Sequence, residues 1–134
     1  MSELNKIALQ ILSNGKGILA ADESTTTMTK RLESVKVQST AKNRLLFRET
    51  LFSASGMTEY IGGVILYDET IKQDSSKKNR IPELISKMGS APGIKVDTGA
   101  KVLAGSTDEK ITEGLDGLRA VSYTHLTLPT IYSV

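Results

Sequence analysis

Cysteine is missing altogether from the 134 residues, and histidine occurs once, as His125. The first absence excludes a disulfide framework and thiolate metal sites. The second leaves no H-x-H or H-E-x-x-H spacing and no Ser/His pair to build on. Neither a histidine-rich metal centre nor a serine-histidine triad has support, and no metal ligand set is expected. No apolar run approaches the roughly 20 residues that cross a bilayer. The opening M-S-E-L-N-K is charged and has no apolar h-region, so no secretory signal is visible and the expectation is a soluble, cytoplasmic protein. A strong excess of either charge is lacking too. The net charge is +2 with both signs mixed along the chain, which gives no reason to expect a nucleic-acid or membrane partner. The densest basic run, Lys77-Lys78-Asn79-Arg80, has no interleaved aromatics and reads as a solvated loop.

What is present is an alternation of helix and strand signals in a chain of single-domain size. Leu4, Ile7, Ala8, Ile11 and Leu12 fall on one face of a helix, with Ser2 placed as its N-cap and Gly15 placed to end it. A short apolar strand follows over Gly17–Ala21. Leu45, Leu46, Leu51 and Phe52 mark a second helix, capped by Ser39 or Thr40. Gly62-Gly63 opens the apolar run Val64-Ile65-Leu66-Tyr67, which ends on Asp68-Glu69. Pro82 and Gly89 bracket a third helix containing Leu84, Ile85 and Met88. Gly93-Ile94-Lys95-Val96-Asp97 reads as a further strand, and the stretch after it as a loop or short hairpin. Short, apolar strands alternating with helices favour a parallel sheet covered by helices, an α/β fold. Gly114–Leu118 looks like the approach to another helix. From Ala120 to Val134, however, the chain holds no Lys, Arg, Asp or Glu, a break in composition.

In α/β proteins the chemistry sits where strands hand over to loops at their C-terminal ends. The first strand ends in Asp22, Glu23, Ser24 and Thr25. Asp22 reads either as a helix N-cap or as a carboxylate placed for proton transfer. Ser24, Thr25, Thr26 and Thr27 offer hydroxyls beside a nascent helix N-terminus, which suits an anion such as phosphate and equally suits simple capping. The G-K-G start has the wrong spacing for a Walker A loop. Lys95, inside an apolar strand, needs a partner: Asp97, Asp22 or Asp68 in an ion pair, or a substrate phosphate. Arg31 and Arg44 flank this region as surface cations or as ligands, and Asp68 reads as a turn carboxylate.

The runs G-K-G-I-L-A-A-D-E-S-T, Lys30-Arg31-Leu32, I-G-G-V-I-L-Y-D-E-T, G-I-K-V-D-T-G and L-A-G-S-T-D-E-K-I-T-E-G-L-D-G-L closely resemble class I fructose-bisphosphate aldolase, in order from about residue 5 to Leu118. The resemblance implies a (β/α)8 TIM barrel of which this chain holds about the first three βα units. It implies a glycolytic lyase that cleaves fructose 1,6-bisphosphate into dihydroxyacetone phosphate and glyceraldehyde 3-phosphate through a lysine Schiff base, with no metal or other cofactor. Asp22 matches the aspartate that assists proton transfer. Lys95 and Ser24 match groups near a substrate phosphate, Thr27 stands where the family pattern has serine, and Thr26 replaces a glycine. Arg31 and Arg44 match arginines linked to substrate binding. The implied partner is a phosphorylated sugar, and the implied parent assembly is a homotetramer.

A TIM barrel takes about 250 residues, and the Schiff-base lysine of the family lies on a later strand that matches nothing here. The expectation is therefore an aldolase portion over 1–119, inactive alone, followed by a non-homologous tail over 120–134 that resembles translated sequencing-adapter sequence. The rival is an independently folded, non-catalytic phosphate-binding or interaction module, which would have to tolerate open sheet edges.

Overall fold

The computed structural model describes residues 3–114, and the expectations for Ser2, for the stretch beyond Gly114, for His125 and for the charge-free tail lie outside them. The chain divides into two compact units, residues 1–93 and residues 94–134.

The first unit opens with helix α1 (Glu3–Ile11) and a 3-10 turn over Ser13–Gly15 that carries the chain into strand β1 (Gly17–Ala21). Helices α2 (Thr25–Ser34), α3 (Ala41–Phe52) and α4 (Met57–Tyr60) precede strand β2 (Ile61–Leu66). Helices α5 (Asp68–Ile71) and α6 (Ile81–Lys87) then lead to strand β3 (Ala91–Ile94), whose last residue begins the second unit. The sheet order is β1-β2-β3. β1 runs parallel to β2, with Ile18 opposite Gly63 and Ala21 opposite Leu66.

β2 is the central strand, and its burial follows from that position: Gly62, Gly63, Val64 and Leu66 are all buried. A strand covered on both faces reads as a continuous apolar run, as this one does. β1 is different. Only Ala21 is buried, and Ile18 stays 53% exposed on an edge of the sheet. Met28 and Leu32 of α2, Phe52 of α3, Met57 of α4, and Ile81 and Ile85 of α6 complete the core with Val64, Leu66 and Ile71.

Two sequence expectations change here. The apolar face of α1 holds no fully buried residue: Leu4 is 78% exposed, and the helix meets β2 through the backbone and side chain of Ile11. The four apolar residues that mark α3 do not share one face. Arg48 and Phe52 are buried, while Leu46 and Leu51 face solvent. Residues 44, 48 and 52 are spaced four apart, so they lie above one another on one side of the helix. The cap of α3 is Thr40, whose hydroxyl accepts the Asn43 N–H at 3.1 Å.

In the second unit, β4 (Gly99–Val102) and β5 (Lys110–Glu113) form an antiparallel hairpin, closed by the Thr98 N–H donating to the Glu113 carbonyl at 2.8 Å. The expected strand through Asp97 is shorter than its apolar pattern suggests and stops at Ile94. Asp97 accounts for part of this, since its carboxylate accepts the Gly99 N–H at 2.8 Å, the side-chain turn that lets an aspartate redirect the chain. Gly99, at φ +101°, takes a conformation that side chains strain to adopt. No described helix is long and apolar enough to cross a membrane.

Candidate functional site

β1 delivers Asp22 directly after its last residue, half-buried, at the C-terminal end of the strand. The turn that follows is short because α2 starts three residues later, with Ser24 rather than Asp22 as its N-cap. The Ser24 hydroxyl accepts the Thr27 N–H at 3.3 Å and lies 3.1 Å from the Thr27 hydroxyl. The Met28 N–H donates to the Ser24 carbonyl at 2.9 Å. Two solvent-facing hydroxyls thus sit side by side on the first turn of a ten-residue helix, where the unpaired backbone N–H groups and the helix dipole favour an anion. Asp22 is therefore not the cap of α2 and stands at the C-terminal end of β1.

The two expected arginines are held by carboxylates. Arg31, more than half exposed on α2, pairs with Glu23. Arg44 donates through Nε at 2.9 Å and Nη2 at 2.5 Å to the two oxygens of Glu69, the two-pronged geometry that suits guanidinium to carboxylate. Its Nη1 reaches the Ser39 carbonyl at 2.8 Å. The hydrogen bond from Arg44 holds the Glu69 carboxyl below the ordinary glutamate range, against the opposing effect of burial. The same bond raises the Arg44 guanidinium above its usual value.

Between these two pairs lies Arg48, which sequence reasoning passed over. Its residue exposure is 0%. Nη1 donates to the Thr70 hydroxyl at 2.8 Å, and Nη2 donates to the backbone carbonyl of Glu23. The guanidinium lies 5.7 Å from the centre of the Tyr67 ring and 4.0 Å from Glu69. Burial lowers its pKa, and the nearby Glu23 and Glu69 carboxylates offset only part of that. Charges of alternating sign therefore run from Arg31 through Glu23, Arg48 and Glu69 to Arg44, linking the ends of β1 and β2. The signal for this in the sequence is the spacing Arg44, Arg48, Phe52 combined with a glutamate just past the β2 run.

Lys95 belongs to the second unit and lies just beyond β3 rather than inside it. Its ammonium contacts both oxygens of Asp97, at 3.0 and 2.9 Å. The hydrogen bond from Lys95 is the main reason that the Asp97 carboxyl lies below its ordinary pKa, with the Gly99 N–H adding to it. Of the three carboxylates weighed as partners, Asp97 is thus one that Lys95 meets. Asp68 opens α5 and pairs with Lys72 at 2.8 Å.

Comparison with known proteins gives one family throughout. The family model for fructose-bisphosphate aldolase class-I matches residues 3–127. A non-muscle type fructose-bisphosphate aldolase of Lethenteron camtschaticum is 51% identical over 117 residues, covering 87% of this chain and 32% of the relative. Fructose-bisphosphate aldolase 2 of Caenorhabditis elegans is 47% identical over 116 residues, with the same coverage of each. Among solved structures, fructose-bisphosphate aldolase from Plasmodium falciparum, crystallised with TRAP and a small-molecule inhibitor, superposes with a TM-score of 0.85 at 38% identity. That match covers 93% of this chain and 36% of the other. The chain spans about a third of the length of the curated relatives it matches.

Proposed function

Since the chain belongs to the class-I fructose-bisphosphate aldolase family, we propose that it forms one wall of that enzyme's active site and is not a catalyst by itself. The observation that carries this reading is the end of β1. Asp22 leaves the strand, and the Ser24 and Thr27 hydroxyls follow at 3.1 Å from each other on the first turn of α2. In this reading the three strands β1, β2 and β3 are the first three of a (β/α)8 barrel. The Ser24 and Thr27 hydroxyls contact a phosphate of fructose 1,6-bisphosphate, with Arg31 and Arg44 supplying guanidinium charge, and Lys95 of the second unit is assigned a substrate-binding role on its match to the family motif alone. Asp22 assists proton transfer. The full-length parent is a cytoplasmic homotetramer.

Schiff-base catalysis needs an amine activated to attack the ketose carbonyl. Attack forms the C–N bond of a carbinolamine, and loss of water gives the iminium ion that borohydride reduces to a stable amine. The family's nucleophilic lysine lies on a later strand and matches none of the lysines here, and a carboxylate such as Asp22 cannot replace it. Borohydride added to the purified chain with dihydroxyacetone phosphate is therefore expected to leave the protein mass unchanged. A stoichiometric adduct on one lysine would overturn the reading.

A further inference from the structure

Burying an arginine is costly. A guanidinium gives up its hydration, and an apolar side chain of similar volume often serves stability as well or better. A fully buried arginine therefore calls for a reason beyond filling space. Arg48 supplies one in the identity of its acceptors. One is the Thr70 hydroxyl in α5, just past β2, and the other is the main-chain oxygen of Glu23. Glu23 is the residue between Asp22 and Ser24, so fixing its carbonyl fixes the plane of the Glu23–Ser24 peptide, through which the chain passes from Asp22 into the cap.

We infer that Arg48 is a positioning residue for the strand-end turn, setting the direction of Asp22 and the register of the Ser24 cap through the Glu23 carbonyl. The inference rests on the reading of Asp22 and Ser24 as part of a substrate wall, and it assigns Arg48 no contact with substrate. Three features suit Arg48 to this role. The guanidinium is planar and presents its donors in a fixed fork, so two acceptors on different elements are held at one mutual orientation. The Tyr67 ring lies 5.7 Å from the guanidinium and Glu69 lies 4.0 Å from Nη1, beyond hydrogen-bond distance, so the hydrogen bonds of Nη1 and Nη2 go to Thr70 and Glu23. Arg44, one turn earlier on the same helix, uses its own fork on Glu69 just past β2, whereas Arg48 joins the ends of both strands. A lysine at position 48 would keep the charge and lose the fork.

Amide hydrogen exchange on the full 134-residue chain tests this, with the Thr27 and Met28 amides reporting on the cap and the β1–β2 ladder reporting on the sheet. In Arg48→Lys, exchange at Thr27 and Met28 is expected to rise at least about tenfold while the ladder amides change less than about threefold, a local opening rather than a global one. Acceleration of both sets in equal proportion would overturn the inference, because a purely packing role loosens the whole unit. Should Arg48→Lys fail to fold, Thr70→Val removes one acceptor and no charge, and the same split between cap and ladder is expected at smaller amplitude. Cap amides as protected in Thr70→Val as in the wild type would then overturn it.

Titration with inorganic phosphate, followed by the amide resonances of Ser24, Thr25 and Thr27, separates the two readings. If these resonances do not respond in the wild type, the substrate-wall reading fails and with it the functional half of the inference. If they respond, Arg48→Lys is expected to weaken the response about fivefold or more, since the donors lose their common direction. An unchanged affinity would overturn the positioning role.

Discussion

Glu69 shows how a single carboxylate can organise two cations. It takes both prongs of Arg44 and lies 4.0 Å from Arg48, with its side chain only one-quarter exposed. Its pKa is depressed, so the stabilisation it gives is present above the ordinary glutamate pKa and is lost as pH falls through the lower, folded value. The matching rise at Arg44 acts only at strongly alkaline pH, so the acid limb belongs to the carboxylate. Glu69→Gln is expected to cost about 1.5–3 kcal/mol at neutral pH, the range for hydrogen bonds to charged groups. Thermal melts from pH 7 downward should show the wild-type advantage shrinking below about pH 4.3, where glutamates begin to protonate. Melting curves of the two proteins that stay equally far apart down to pH 3 would contradict this account.

At the scale of elements, the end of α1 sits tightly against β2. A β-carbon at Gly62 would sit 1.8 Å from the Ile11 carbonyl oxygen, a backbone atom with no rotamer to escape into. At Gly63 the nearest atom is a side-chain methyl of Ile11 at 3.2 Å, which can give way. Gly62→Ala is therefore expected to destabilise at or above the top of the usual overpacking range of about 1–3 kcal/mol, and Gly63→Ala to cost less. Denaturant midpoints of the two variants provide the check, and equal midpoints would show that α1 yields. The sequence pattern made these glycines legible as the opening of a strand but not as a helix-docking surface. Local signals served well where the cause is local: the Thr40 cap, Pro82 and Gly89 around α6, the apolar run of β2, the hairpin after Asp97. They failed where the cause is distant. The face that α3 turns inward is chosen by acceptors 22 and 25 residues away from Arg48, and nothing in the helix itself records them. Lys95 is a local case by contrast, since the aspartate two residues on takes its ammonium and also captures the Gly99 amide.

For the whole molecule, the exposed apolar surface of the first unit is the decisive feature. β1 lies on an edge of the sheet among the described residues, with Ile18 pointing an apolar side chain to solvent, and the leucine face of α1 stands open beside it in sequence. An edge strand carries a row of unpaired N–H and C=O groups and acts as a template for a further strand, a hazard that charge on the edge suppresses. Nothing charged lies within β1 itself, since its five residues are Gly17, Ile18, Leu19, Ala20 and Ala21. The chain alone is thus expected to self-associate through β1, with a sedimentation coefficient that rises with concentration across the micromolar to millimolar range in which such edges pair. Ile18→Lys places a charge on the exposed side of that edge while leaving the buried Ala21 and the Ala21–Leu66 pairing untouched. It should shift the onset of association to higher concentration without lowering the melting temperature. A wild-type chain that sediments as a monomer at every concentration and melts in one sharp transition would sink the idea, and would favour the reading of a self-sufficient module over that of one wall of a larger enzyme.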